Sequence, residues 1–234
     1  MADWWSMSRA EASGKAHGPV VGLLLAGGRG SRFDASGKSD KLLASYEGEP
    51  VIVRSARTLT QACSRVFAVL PPGKSGLRGL LEQAGCETVV TEATRLGMGH
   101  SIAQGVAQIL ERCTPHCLVL ALGDMPRLAS TTVLKLIEAA GSDPRAIIAP
   151  SLHGKRGHPV VFGADHLQAL TRLSGDRGAF AILEQHQPRL IEVDDPGVLH
   201  DIDTPADLLV DPFHDSMDRR RDTPDTHGAR EGSR

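Results

Sequence analysis

The chain has 234 residues, 41% hydrophobic but only 3% aromatic, with a formal net charge of −2. That length suits one α/β domain with tails, or at most two small domains, around a core built from Leu, Val, Ile and Ala. The near-neutral charge excludes a general pull toward nucleic acid or a membrane surface, and no apolar stretch approaches the ~20 residues of a membrane span.

Residues 1–18 are polar and small apart from Trp4 and Trp5, show no signal-peptide pattern, and read as a flexible leader. Val20 to Ala26 reads as a buried strand. It runs into Leu25-Ala26-Gly27-Gly28-Arg29-Gly30-Ser31-Arg32-Phe33, a glycine-rich loop with Lys41 downstream. Backbone N–H groups converge on an anion only where no side chain intervenes, so these glycines suit phosphate binding. Arg29, Arg32 and Lys41 supply the charge that a triphosphate requires. The competing reading is a tight strand-to-helix turn with solvated arginines.

Two familiar phosphate loops are excluded. A Walker A loop needs a glycine five positions before its Gly-Lys pair, and Arg32 and Ala68 hold that place before Gly37-Lys38 and Gly73-Lys74. A dinucleotide-binding fingerprint would need glycine at position 33, where Phe33 stands.

Further along, Pro50 opens a helix carrying Val53, Ala56, Leu59 and Ala62 on helical spacing. Val66 to Leu70 is a strand, Leu77 to Ala84 a short helix and Thr88 to Val90 a short strand. Gly97-Met98-Gly99-His100-Ser101 precedes a helix from Ser101 to Leu110, and its N–H groups offer a second place for an anion or a base edge. In that segment Met98 reads as packing and His100 as a solvent-facing turn residue. Cys117 to Leu122 is a continuous apolar strand, Ser130 caps a helix through Ala140, and Arg145 to Ala149 is a strand. Continuous apolar strands between helices argue for a mostly parallel sheet covered on both faces.

Beyond Pro150 the rhythm changes. His153 to Phe162 looks like a hairpin, with His158 beside Pro159 as a positional residue. A helical stretch, the turn Ser174-Gly175-Asp176-Arg177-Gly178 and another helix follow, then a strand from Leu190 to Val193. Thr204 is a good N-cap, with Pro205 at the first helical position and Asp207 in the first turn. Residues 211–234, with Arg219-Arg220-Arg221, read as a disordered tail. Cys63, Cys86, Cys113 and Cys117 form no zinc quartet and read as small buried hydrophobes in a reducing cytoplasm.

The strand ending at Leu122 continues into Gly123-Asp124-Met125-Pro126. In a parallel α/β sheet ligands sit at the carboxyl ends of strands, so Asp124 emerges where the Gly27–Arg32 loop also emerges. Asp201 and Asp203 are one residue apart in an extended segment and point to one side. Asp124 with one of that pair can hold Mg²⁺, leaving the remaining positions to water and phosphate. Equally, Asp124 suits a turn aspartate capping the next helix, and Asp203 a helix cap.

These residues resemble the MobA-like nucleotidyltransferases, the family of the molybdenum cofactor guanylyl- and cytidylyltransferases. The matching elements are Leu25-Ala26-Gly27-Gly28 with Arg32 and Lys41, then Gly97 to Ser101 and Leu122 to Pro126. Gly157-His158-Pro159-Val160, Gly175 to Ala179, and Asp201-Ile202-Asp203-Thr204-Pro205-Ala206-Asp207-Leu208 complete the series. The resemblance covers about Val20 to Leu209.

It implies an α/β fold of the Rossmann-like nucleotidyltransferase (GT-A-like) type, a three-layer sandwich around a mostly parallel sheet, with one transferase domain over residues 19–210. It also implies an NTP substrate, Mg²⁺, attack by an acceptor phosphate on the α-phosphorus, and release of pyrophosphate. By the same resemblance Lys41, Arg32 and Asp124 are catalytic. Leu25, Ala26, Gly27, Gly28, Arg29, Gly30, Gly97, Gly99 and Ser101 bind the nucleotide, and Asp124 and Asp203 hold the metal.

Most motifs look like the cytidylyltransferase branch, which implies CTP and a molybdopterin acceptor. Gly27-Gly28 looks more like the guanylyltransferase branch, where GTP is used. The segment from Phe33 to Asp40 is longer than usual, a length that suits a lid, and Phe180 stands where an arginine is often found. Transfer to a sugar phosphate is a same-class alternative. A different one is a maturation partner that docks on a molybdenum hydroxylase through its leader and tail.

Overall fold

The computed structural model describes residues 18–28, 32–34 and 39–209. Arg29 and Gly30, Trp4 and Trp5 with nearly all of the leader, the centre of the 33–40 segment with Gly37, and the arginine-bearing tail lie outside the described residues.

The chain runs β1 (Val20–Leu25), β2 (Ser45–Tyr46), β3 (Glu49–Pro50), α1 (Val51–Ala62), β4 (Arg65–Leu70), α2 (Ser75–Gln83), β5 (Glu87–Val90) and α3 (Met98–Arg112). It continues β6 (Cys117–Leu122), α4 (Ser130–Ala140), β7 (Ile147–Leu152), β8 (Lys155–Arg156), β9 (Val160–Gly163), α5 (Leu167–Leu170), α6 (Phe180–Gln185) and β10 (Arg189–Glu192). The main sheet has the order β10-β7-β9-β6-β1-β4-β5, with β8 added beside β7. β1 pairs parallel with β4 and β6, β4 with β5, and β10 with β7. β9 alone in that seven-strand path runs antiparallel to both its neighbours. The expected mostly parallel α/β sandwich is therefore the observed fold.

The two faces of β1 divide the core. Leu24 and Ala26 join Ile52, Leu59, Leu81 and Leu136 in one apolar cluster, on the side of α1, α2 and α4. Val21, Leu23 and Leu25 join Ile102, Val106, Leu170 and Ile182 in the other, on the side of α3, α5 and α6. Strand alternation thus feeds both layers, which is why every residue from Val21 to Leu25 is buried and no polar face shows in the sequence. Cys63, Cys86 and Cys117 are free and buried in this core, and Cys113 is free and partly buried. Burial pushes the thiols of Cys63 and Cys86 up to about 12 and that of Cys117 to about 11, so they stay protonated.

Three local expectations are corrected. α3 starts at Met98 rather than Ser101, because Gly99 N–H finds an acceptor in Gly175 O at 2.8 Å and the first turn is held from outside. Ser130 is the first helical residue of α4 and not its cap. Asp195 instead braces that end from 66 residues away, accepting from the N–H of Ala129, the residue before the helix, at 3.0 Å and from Thr132 Oγ1 at 2.7 Å. His100 faces the protein and not solvent, its Nδ1 accepting from Gly175 N at 3.0 Å. The helix after Thr204 forms as a 3₁₀ turn over Pro205–Leu208, with Asp207 Oδ2 accepting from the N–H groups of Asp203 and Thr204.

No helix among the described residues is long and apolar enough to cross a membrane.

Candidate active site

Three parallel strand ends build one edge of the molecule. β1 stops at Leu25, and Ala26 N–H is captured by Val69 O at 2.8 Å, which turns the glycine loop outward at the carboxyl end of the sheet. β6 ends beside it, where Gly123 N–H donates to Leu25 O at 2.9 Å. A Cβ on Gly123 would stand 2.7 Å from Ile52 Cδ1 and 2.9 Å from Leu25 O, so only glycine lets Asp124 follow this closely on the loop. The 201–203 segment is then tied on by Ile202 N–H to Asp124 O at 2.8 Å. Ile202 is wholly buried, and its neighbours Asp201 and Asp203 share the opposite side.

The three carboxylates converge: ligand oxygens of Asp124, Asp201 and Asp203 all lie within 4.8 Å of one another. Lys41 enters from a 3₁₀ turn over Lys41–Leu43, capped by Asp40 through Leu42 N–H at 3.0 Å and anchored by the buried Leu42. Its ammonium lies 2.6 Å from Asp124 Oδ2 and 3.1 Å from Asp203 Oδ1. Burial opposes the charged form of Lys41, yet Asp124 and then Asp203 outweigh it and raise its pKa. Arg32, largely exposed, pairs with Asp203 from the other side. Burial, together with the charges of Asp124 and Asp203, pushes the Asp201 carboxyl up. Crowding of like charges of this kind is relieved by a cation.

Beside the cluster opens a cleft of about 580 Å³, lined by Leu25, Gly27, Gly28 and Arg32 on one wall. Thr94, Leu96, Gly97, Met98 and Ser101 line the other, with Leu122, Asp124, Asp176 and Asp201 between them. The second wall depends on Gly97. Its φ is +119°, and a Cβ there would meet Gly175 O and Asp176 Oδ1 at 2.5 Å. Most of the sequence-derived site residues therefore meet here. Ala26 is buried behind the loop, and Gly99 packs on the Ser174 backbone. Met98 is more exposed than a packing residue, because the first turn of α3 opens onto the cleft. Phe180, at the start of α6, lies under the Arg177 guanidinium at 4.7 Å and does not line the cleft.

Sequence reasoning left the place of Asp201 open, and it missed the cleft-lining roles of Thr94, Leu96 and Asp176. The Gly175-Asp176-Arg177 motif was a signal for the last. Thr94 and Leu96 belong to a 3₁₀ turn and its cap over residues 92–96, which carries no motif.

A mostly parallel sheet that presents a glycine loop, a lysine and clustered carboxylates at one edge defines the class of the protein: it is a nucleotidyltransferase. Residues 22–190 match the family of the MobA-like NTP transferase domain, and the chain belongs to that family. It is 26% identical over 199 residues to the purine catabolism protein PucB of Bacillus subtilis, covering 80% of this chain and 93% of that one. To a probable molybdenum cofactor guanylyltransferase of Nostoc sp. it is 25% identical over 196 residues, 82% of this chain and 89% of that one. The crystal structure of Rv0371c from Mycobacterium tuberculosis is similar with a TM-score of 0.70 at 27% identity, over 82% of this chain and 96% of that one. A manganese complex of Rv0371c gives a TM-score of 0.60 at 24% identity, over 86% and 97%.

Proposed function

We propose that the enzyme is a Mg²⁺-dependent cytidylyltransferase, which moves CMP from CTP to the phosphate of a molybdopterin-type cofactor and releases pyrophosphate. The observation that carries this reading is the meeting of Lys41, Asp124 and Asp203 beside the glycine loop and its cleft. Likeness to a probable molybdenum cofactor guanylyltransferase supports the acceptor. The resemblance of Gly97–Ser101, Leu122–Pro126 and Gly157–Val160 to the cytidylyltransferase branch supports CTP. The transferase domain spans residues 19–210, and the free buried thiols fit a reducing cytoplasm.

The residues present fit a hard divalent cation. All three clustered side chains offer oxygen, and Asp124 Oδ1 is buried with no hydrogen-bond partner among the described residues. Asp124 and Asp203 would hold it, with Asp201 alongside. A bound Mg²⁺ supplies charge stabilisation to the phosphates as pyrophosphate departs.

The chain's own part is positioning and electrostatics. Gly27 and Gly28 offer backbone N–H groups to the phosphates, without a Cβ in the way. Lys41 and Arg32 offset the charge of the transferring group. The wall from Leu96 to Ser101 takes the base. An oxygen of the acceptor phosphate bonds to the α-phosphorus, the P–O bond to the β-phosphate breaks, and pyrophosphate leaves with the electron pair. That nucleophile is already ionised at pH 7, so no side chain has to remove a proton from it.

Guanylyl transfer is the second reading, favoured by Gly27-Gly28 and by the Nostoc relative. Pyrophosphate release is measured with CTP, GTP, ATP and UTP in parallel, each with Mg²⁺ and molybdopterin. The highest turnover with CTP is expected, and the highest with GTP assigns guanylyl transfer instead. Release unchanged in Asp124→Asn contradicts the site.

A further inference from the structure

The proposed reaction leaves one partly buried side chain at this edge, His158, without a task. β9 runs antiparallel to β6 with Val160 opposite Leu120, and His158 lies in the bend that leads into β9, at the end of the sheet where β6 runs on to Asp124. Its backbone is pinned on both sides. His158 N–H donates to Val198 O at 2.9 Å, and Gly157 N–H donates to Pro150 O at 2.9 Å. A few residues after Val198, the same segment returns to Asp124 O through Ile202 N–H at 2.8 Å. The expected hairpin over His153–Phe162 is instead a β7–β8 hairpin around His153 and Gly154, with β9 paired to β6 and β7; the link carrying His158 and the turn carrying Asp124 are both tied to the 198–202 segment.

Two side-chain atoms among the described residues are buried with no hydrogen-bond partner: His158 Nδ1 and Asp124 Oδ1. Buried polar atoms are nearly always paired, with protein or with ordered water. One of these two is an acceptor, and the other carries a proton in one tautomer of the neutral ring. Burial and the charge of Arg156 push the imidazole pKa down, while Asp124 pulls it up.

We infer that His158 is a positioning residue for Asp124: its Nδ1–H is linked through one ordered water to Asp124 Oδ1 and orients that carboxylate for the divalent cation. The inference rests on the carboxylate–metal reading of the proposed function. A partner of this kind, one step removed from the cation, changes metal affinity by about 10- to 100-fold. It also accounts for a histidine whose ring donates nothing to the sheet yet is held by backbone bonds on both sides.

The test is Mn²⁺ binding to the full chain without nucleotide, read from the electron paramagnetic resonance signal of free Mn²⁺. Wild type is compared with His158→Phe, His158→Asn and His158→Gln, with thermal unfolding recorded for each. Phe keeps the ring volume and removes the N–H, while the Asn amide falls near the place of Nδ1 and the Gln amide near that of Nε2. The expected result is affinity about tenfold or more below wild type for His158→Phe, with most of it recovered in His158→Asn but not in His158→Gln. Wild-type affinity in a folded His158→Phe shows that the ring only packs, and overturns the inference while the metal reading stands. If His158→Phe does not fold, the other two variants decide: equal affinities overturn the inference, and Asn above Gln supports it. A folded wild type that binds no Mn²⁺ overturns the metal reading itself.

Discussion

Lys41 and Asp124 form a short ion pair, Nζ to Oδ2 at 2.6 Å, and the same ammonium reaches Asp203 Oδ1 at 3.1 Å. The lysine therefore occupies the gap between the two carboxylates that the proposed cation would join. On the proposed reading cation and ammonium would compete for these carboxylates, and a bound triphosphate would relieve the competition by drawing Lys41 to its phosphates. Lys41→Met is expected to tighten Mn²⁺ binding in the absence of nucleotide by about tenfold. That is about 1.4 kcal/mol, well within what a unit charge at this distance supplies at an effective dielectric of about 20. The same variant loses at least about 100-fold in pyrophosphate release. Equal Mn²⁺ affinities in the two proteins would show that Lys41 does not stand in for the cation.

Two glycines of the cleft give opposite results. Gly97→Ala puts a Cβ against Gly175 O and Asp176 at a positive φ, and is expected to cost about 1–3 kcal/mol of stability. At Gly28 a Cβ meets nothing within 4 Å, so Gly28→Ala leaves the urea midpoint unchanged. It raises the KM for the nucleotide severalfold, because the added methyl stands where phosphate oxygens approach the backbone. A stability loss in Gly28→Ala would mean that the loop is glycine-rich for its own turn and not for a ligand.

The start of α4 is braced from a distance. Asp195 accepts from Ala129 N, Thr132 Oγ1 and Gly197 N, so Asp195→Ala is expected to lower stability by about 1–2 kcal/mol. Ser130→Ala, at the first helical position, is expected to change it by less than about 0.5 kcal/mol. Equilibrium urea unfolding of the two variants side by side measures this, and the reverse order would return the cap to Ser130.

Asp207 links acid stability to the segment that carries Asp203. Burial is the largest single effect and raises its pKa, but the N–H groups of Thr204 and Asp203, the Thr204 hydroxyl and the charge of Arg127 together outweigh it, so the folded-state pKa is lowered. A depressed carboxyl contributes stability that is present above the unfolded pKa of about 3.9 and is lost as pH falls through the lower folded value. Asp207→Asn is therefore less stable than wild type at pH 7, and the gap closes below about pH 3.9. A gap that stays constant between pH 7 and pH 3 would show that the carboxylate charge contributes nothing there.

Legibility differed by element for physical reasons. Val20–Leu25 and Cys117–Leu122 were readable because both faces of those strands are buried, so the sequence shows unbroken apolar runs. Asp124 was readable because it directly follows such a run. The insertion of antiparallel β9 between β6 and β7 was not, since strand order depends on contacts far apart in sequence. Nor were the cap on α3 and the brace at the start of α4, where Gly175 and Asp195 reach across the fold to helices that lack local capping side chains. Asp201 was ambiguous because its alternation with Ile202 places it beside Asp203 but does not say which of the two faces Asp124.

Calorimetric titration of CTP into wild type and Asp124→Asn, each with Mg²⁺ and again with EDTA, tests the central claim most directly. The account predicts binding to wild type with Mg²⁺, and a loss of at least about tenfold in affinity both with EDTA and in the variant. CTP that binds with the same affinity in all four titrations would contradict a metal–nucleotide site built on Asp124.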